Sequence, residues 1–258
     1  MNYVSILNQL LDAKIIAILR LDSPEKAQRG IEALKKGGIR AIEVTMNTPG
    51  ALQVISHYQN TPDLLIGAGT VLDEASCLNA IQHGAQYIVT PTLNEGVIKC
   101  ANRYQKPVIC GCMTPTEIMT ALELGVNMIK LFPASILGLD SIKAIKAPIP
   151  QALIGPTGGV NLENITLWQK SGADFYGIAG EFSKLANERK ALDVHYFSQD
   201  FLTGLAASQN IICRTMFSEL YWKVILPLFI MQHFLKMSRM YVLSSMGTVL
   251  SVMRFMIC

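Results

Sequence analysis

Asn127-Met128-Ile129-Lys130-Leu131-Phe132-Pro133 is an apolar run with a single lysine in it. Its length and its closing proline predict a buried strand. Alternation along a strand puts Met128, Lys130 and Phe132 on one face and Ile129 and Leu131 on the other. An ammonium group is costly to bury. A lysine there either sits at the strand's end and reaches water along its own stem, or belongs to a site that uses its amine as a nucleophile. The neighbouring sequence decides between these readings.

Upstream, Thr114-Pro115 carries the marks of a helix start: an N-cap residue, then proline at the first helical position. Gly125 follows that helix and precedes the lysine strand. The same unit recurs in both directions. Apolar strands are predicted at Ile15–Leu19, Ala41–Thr45, Leu64–Thr70, Tyr87–Val89, Val108–Cys110, Leu153–Pro156 and Phe175–Ile178, with helical stretches between them. Gly38, Gly84, Gly125 and Gly172 each stand a few residues before a strand, where a helix end takes a left-handed residue. A short amphipathic helix, Tyr3–Asp12, precedes the first strand.

Continuous apolar strands joined by helices specify a parallel sheet covered on both faces. Eight such units suit a closed (β/α)8 TIM barrel of the α/β class, with the extra helix at its N-terminus. A doubly wound open sheet is the alternative. Against it, the first strand–helix turn lacks the G-x-G-x-x-G fingerprint.

The chain has 258 residues, half of them hydrophobic and 16% charged, which specifies a core-rich globular protein. The net charge of +3 is concentrated in residues 211–258, which hold five basic residues and one acid. Residues 1–210 are near neutral, and nothing in them suggests nucleic-acid binding. The six cysteines include a C-x-C at Cys110-Gly111-Cys112 but no zinc spacing. They read as core thiols of a reducing cytoplasm. No basic stretch followed by an apolar one marks a signal peptide at the N-terminus.

In a barrel the chemistry gathers where strands end and βα loops begin. The unusual residues fall there: Arg20 after the first strand, Glu43 and Thr45 on the second, Thr70 after the third, Thr90 after the fourth, Lys130 on the sixth, and Thr157-Gly158-Gly159 after the seventh. Taken singly, each threonine reads as a helix cap and Glu43 as a solvated strand-end carboxylate. A cation, a carboxylate and a strand lysine on one barrel face point instead to a site. Gly158 and Gly159 let backbone N–H groups approach an anion closely, as do Ala179 and Gly180 at the next helix start.

Five segments carry a resemblance: Glu43-Val44-Thr45, Gly67-Ala68-Gly69-Thr70-Val71, Met113-Thr114-Pro115-Thr116-Glu117, Ile129-Lys130-Leu131-Phe132-Pro133-Ala134 and Pro156-Thr157-Gly158-Gly159-Val160. Together they resemble the 2-keto-3-deoxy-6-phosphogluconate (KDPG)/4-hydroxy-2-oxoglutarate aldolase family, over about residues 5–195. The resemblance implies a class I aldolase of the Entner-Doudoroff pathway, a homotrimer with no metal or other cofactor. It implies that Lys130 forms a Schiff base with the substrate's C2 keto group and that Glu43 is the general acid/base. Thr70 then binds the pyruvate carboxylate, with Thr157 beside the same pocket, and Gly158 and Gly159 form the phosphate loop. The products are pyruvate and glyceraldehyde 3-phosphate.

Two departures bear on this. Many relatives have arginine where this chain has Asn47; in relatives without it a residue at the place of Arg20 does that job, so the resemblance implies Arg20 as the carboxylate grip, a guanidinium fitting a carboxylate bidentately. Many relatives also read Gly-Ser where this chain has Ala179-Gly180, followed by Glu181. That change keeps the unphosphorylated substrate 4-hydroxy-2-oxoglutarate in play, with pyruvate and glyoxylate as products. It also leaves a second reading, a catalytically silent barrel that binds a phosphorylated metabolite.

The resemblance ends near Ser208, after a closing helix expected across 185–207. Residues 1–210 are therefore expected to form the barrel and 211–258 an atypical extension. The extension holds seven of the twelve methionines and no aspartate. A transmembrane helix needs roughly 18 uninterrupted apolar residues, and Pro227, Lys223, His233 and Arg254 break the candidates. A basic amphipathic segment on an anionic membrane is a second reading. The favoured one is a non-native or out-of-frame extension of a complete aldolase.

Overall fold

Eight parallel strands form the centre of the protein: β1 (Ile15–Leu19), β2 (Ala41–Thr45), β3 (Leu65–Gly69), β4 (Tyr87–Thr90), β5 (Val108–Cys112), β6 (Met128–Leu131), β7 (Leu153–Pro156) and β8 (Tyr176–Ile178). The computed structural model describes residues 2–187 together with 198, 200, 202 and 203, all within the unit Met1–Ala206. The expected extension, 211–258, and most of the expected closing helix lie outside the described residues.

The helices alternate with the strands. They are α1 (Tyr3–Ala13), α2 (Pro24–Lys36), α3 (Ala51–Tyr58), α4 (Glu74–Gln82), α5 (Glu95–Arg103), α6 (Pro115–Glu123), α7 (Ala134–Leu137), α8 (Ser141–Lys146), α9 (Ile165–Lys170) and α10 (Gly180–Asn187). The strand order is β7-β6-β5-β4-β3-β2-β1-β8. A single parallel bridge, Thr157 to Gly177, joins β7 to β8 and closes the ring. The fold is the expected (β/α)8 barrel.

The helix ends follow from residue type. Ser23, Asp73, Asn94 and Thr114 each accept a hydrogen bond from the backbone N–H three residues on, capping α2, α4, α5 and α6. Glu117 returns the bond at α6 and completes a capping box. Gly38, Gly84, Gly125 and Gly172 have φ of 90°, 94°, 86° and 94°, the left-handed conformation a helix end requires.

The core has two shells. Outside the barrel, Ile42, Val44, Ile129 and Leu131 pack with Ile31, Leu34 and Val54 of the helices. Inside, Ile16, Ala41, Leu65, Tyr87, Ile109, Met128 and Phe175 meet Ile6 and Leu10 of α1, which plugs the end where the strands begin. The stretch expected as Tyr3–Asp12 is thus part of the interior, and burying each of its two anchors stabilises the fold by roughly 1.5–3 kcal/mol.

So small a barrel leaves little room, and glycines supply it. A Cβ on Gly67 would collide with the Tyr87 ring, and one on Gly155 with the Phe175 ring. A Cβ on Gly69 would strike the Glu43 carboxylate, and one on Gly177 the Thr157 hydroxyl. Each notch is filled by a side chain on or next to an adjacent strand. Two side chains also stand in for ladder bonds. The Ile66 N–H donates to Gln86 Oε1 (2.7 Å) while the Gln86 N–H donates to Ile66 O (2.9 Å). Asp174 treats Ile154 in the same way, at 2.7 and 2.9 Å.

β5 runs to Cys112, so Cys110 and Cys112 share its outward face, their sulfurs 4.0 Å apart. Cys77, Cys100, Cys110 and Cys112 are buried free thiols.

Candidate active site

The lysine strand places Lys130 inside the barrel, where its residue exposure is 7%, although it stands one residue from the strand's end. Strand β2 places Glu43 there as well, at 2%. The bland readings, a snorkelling lysine and a solvated carboxylate, therefore do not apply. Lys130 Nζ lies 3.8 Å from Glu43 Oε1, within ion-pair range but beyond a hydrogen bond. The ammonium also lies 5.5 Å from the centroid of the Phe132 ring. The register explains the meeting: Glu43 pairs with Gly67 on β3, Lys130 pairs with Gly111 and Gly155, and none of these glycines fills the space between.

Burial raises the Glu43 carboxyl above the usual glutamate range, and Lys130 and then Arg20 oppose that shift. Glu43 Oε1 has no hydrogen-bond partner on the protein. A carboxyl that holds its proton more tightly than usual can donate and accept protons near neutral pH. Beside it stands a lysine screened from water. The pair can thus combine a nucleophilic amine with an internal proton carrier.

The other expected residues surround the same barrel end. Arg20 follows β1 and is exposed, yet its charge is felt at Glu43. Its backbone N–H donates to Ser183 Oγ at 3.1 Å, and that hydroxyl donates to Ile18 O at 3.1 Å. The first turn of α10 therefore fixes where Arg20 begins. Asn47 is exposed in the loop after β2. Thr70 follows β3 with φ of 55°, an unusual conformation for a β-branched residue. Thr157 is buried and forms the bridge that closes the ring. Among the described residues, no hydrogen bond joins the Thr70 or Thr157 side chains to Lys130 or Glu43.

Gly158 and Gly159 have φ of 94° and 80°. Their loop packs on the segment after β6: the Ala134 N–H donates to Thr157 O at 2.9 Å, and a Cβ on Gly159 would lie 2.9 Å from that of Ser135. Ala179 precedes α10, and its carbonyl accepts from the Ser183 N–H at 3.1 Å, the first bond of that helix, which leaves the N–H groups before Ser183 without an intrahelical acceptor. Gly180, the first residue of α10, has open space where a side chain would be. Thr45 and Thr90, also singled out by position, serve the loops instead. Thr45 Oγ1 donates to Leu19 O (3.2 Å) and Thr90 Oγ1 to Thr92 O (2.9 Å).

Sequence reasoning missed Tyr87 beneath the pair, the Gly67 and Gly69 notches, and Ser183. The alternation Gly67-Ala68-Gly69 was the available signal, since it clears one strand face twice. Among the described residues, no group of three or more His, Cys, Asp or Glu is placed to hold a metal ion, and no helix is long and apolar enough to cross a membrane.

With this geometry in view, similarity to known proteins is informative. The model of the KDPG and KHG aldolase family matches residues 6–194. A 2-dehydro-3-deoxy-phosphogluconate aldolase of Haemophilus influenzae is 36% identical over 162 residues, which are 62% of this chain and 76% of that protein. A 2-dehydro-3-deoxy-6-phosphogalactonate aldolase of Escherichia coli is 37% identical over 170 residues, 65% of this chain and 83% of that one. Among solved structures, the KDPG aldolase of Legionella pneumophila, with pyruvate captured at low pH as a covalent carbinolamine intermediate, superposes with a TM-score of 0.67 at 26% identity, covering 77% of this chain and 97% of that one. The chain belongs to the KDPG and KHG aldolase family.

Proposed function

We propose that the protein is a class I lyase that cleaves KDPG to pyruvate and glyceraldehyde 3-phosphate through a Schiff base on Lys130. The observation that carries this reading is the buried Lys130–Glu43 pair, 3.8 Å apart inside the barrel. The carbinolamine trapped with pyruvate in the Legionella relative supports it.

Lys130 Nζ adds to the C2 carbonyl, and Glu43 gives the proton with which the carbinolamine hydroxyl leaves as water. The ionised Glu43 then takes the C4 hydroxyl proton as the C3–C4 bond breaks, and the bonding electrons pass to the protonated imine as an enamine. Reprotonation at C3 and hydrolysis release pyruvate and restore the amine. Arg20, Thr70 and Thr157 hold the carboxylate of the pyruvyl half. Gly158, Gly159, Ala179 and Gly180 hold the phosphate by backbone N–H groups, with no serine hydroxyl among them.

Pyruvate with borohydride should add an irreversible mass to the chain, and Lys130→Ala should abolish it. An adduct that persists in Lys130→Ala would refute the assignment. The substrate is tested by kcat/KM on KDPG, its galactonate epimer and 4-hydroxy-2-oxoglutarate. We expect KDPG to lead, because remote phosphate binding lowers the barrier at the reacting carbon. Equal efficiency on 4-hydroxy-2-oxoglutarate would remove the phosphate site, and preference for the epimer would align this chain with its galactonate relative. The family match ends at residue 194, which supports residues 1–210 as the working unit. A chain stopped after Gln209 should keep both adduct and cleavage, assembled as the full-length chain is, with a trimer expected.

A further inference from the structure

Tyr87 stands beside the Lys130–Glu43 pair without touching the mouth of the barrel. Glu43 pairs with Gly67, and Gly67 pairs with Tyr87, so the three form one line across β2, β3 and β4. The Tyr87 ring fills the notch over Gly67, and the Glu43 carboxylate fills the notch over Gly69, two residues along the same face of β3. The phenol and the carboxylate are thereby laid side by side. Both Tyr87 Oη and Glu43 Oε1 are buried, and neither has a hydrogen-bond partner on the protein. An unpartnered buried hydroxyl is costly, and packing alone does not call for one here. Phe175 fills the matching notch over Gly155 with no hydroxyl at all.

We propose that Tyr87 is a positioning residue for the aldol reaction: its hydroxyl, across one shared water, donates toward the Glu43 carboxylate and favours its ionised form over Gly69, aimed at Lys130. This rests on Glu43 being the proton carrier of the reaction above. Tyr87 suits the task because burial, and then the neighbouring Glu43, hold its phenol well above the ordinary tyrosine range, so it stays a neutral donor. Lys130 from β6 and Arg20 after β1 are the charged groups acting on Glu43, and Tyr87 faces it from β4. A donor to the charged form opposes desolvation. Without it, Glu43 keeps its proton to higher pH.

The test is Tyr87→Phe, which leaves the ring and gives β4 the residue found at 175. The variant should fold, give the borohydride adduct on Lys130, and keep KM within about twofold. The acid limb of kcat should move to higher pH, with kcat roughly three- to tenfold lower on that limb and the loss shrinking as pH rises. Infrared titration supplies a readout independent of turnover. The protonated carboxyl band of Glu43, identified by its disappearance in Glu43→Gln, should titrate at higher pH in Tyr87→Phe. An unchanged band midpoint overturns the role of Tyr87, even if the adduct upholds the Lys130 assignment. An absent adduct in the wild type instead overturns the reaction, while the band still reports whether Tyr87 tunes Glu43. Phe175→Tyr is the control: a limb shift as large as that of Tyr87→Phe would mean a general packing effect and would also overturn the proposal.

Discussion

Strands β2–β4 and strands β6–β8 are built to one plan and equipped differently. Glu43 pairs with Gly67 in the first set, and Lys130 pairs with Gly155 in the second. Gln86 clamps Ile66 across 20 residues, and Asp174 clamps Ile154 across 20. Tyr87 fills the notch over Gly67, and Phe175 the notch over Gly155. Corresponding positions thus carry a carboxylate in one set and an amine in the other, and the barrel's curvature brings the two together. The difference between the sets lies at the paired position and in the hydroxyl below Glu43, the places where the proposed reaction would act.

The largest effects should come from the two positions where the sets differ in charge. Lys130→Ala should lose the adduct and fall to background cleavage. Glu43→Gln should keep Lys130 able to form the adduct, slowly, while kcat falls by roughly 10²–10⁴. Equal loss of adduct formation in both would mean that Lys130 needs the carboxylate to react at all.

The clamps should matter next, and to stability rather than to chemistry. Asp174→Ala and Gln86→Ala each strip a backbone N–H of its acceptor, a loss of about 1–3 kcal/mol read by denaturant unfolding. Asp174 should be the costlier site, because it also holds Lys146 Nζ at 2.6 Å and lies beside the closing bridge. Equal losses would show that the two sets are equivalent in energy as well as in plan. Gly67→Ala and Gly155→Ala should each lose about 1–3 kcal/mol by overpacking. A marked inequality between them would break the correspondence.

The smallest expected effect is a dependence of melting temperature on pH. The Glu43 carboxyl is raised by burial, so its proton is bound more tightly in the folded chain than in the unfolded one. Stability is then full below the ordinary glutamate range and declines as pH rises through the folded-state value. Glu43→Gln removes this decline. Its melting temperature should exceed that of the wild type at neutral pH and approach it in acid.

Much of this plan was legible in the chain. The strands, the caps at Ser23, Asp73, Asn94 and Thr114, and the glycines that end helices are local signals, each written within a few residues. The apolar runs marked Lys130 and Glu43 as out of place but left a snorkelling lysine and a solvated carboxylate open, and the structure shows both buried. What stayed hidden depends on side chains meeting across strands. Gln86 and Asp174 look like ordinary polar residues before a strand, and only the register shows them replacing ladder bonds. Tyr87 reads as one more apolar strand residue until Gly67 is seen beneath its ring. Ser183 gives no sign in sequence that it grips the end of β1. The expected role of Arg20 came from the resemblance to relatives that lack arginine at the place of Asn47; the structure adds that Ser183 holds its backbone N–H and that its charge reaches Glu43.

The join between β7 and β8 has one bridge, Thr157 to Gly177, besides the paired bonds of Ile154 and Asp174, while every other neighbouring pair shares a longer ladder. A ring held this lightly at one joint behaves as a curved sheet with a fastener. Amide hydrogens along the joint should exchange with solvent sooner than those of β2 and β3, since the least-bonded elements open first. The loops that leave these two strands carry Gly158, Gly159 and Gly180. A phosphate ester gripped by both would act as a second fastener, and slowed deuterium uptake at Thr157 and Gly177 on adding such a ligand would register the barrel being tightened by it.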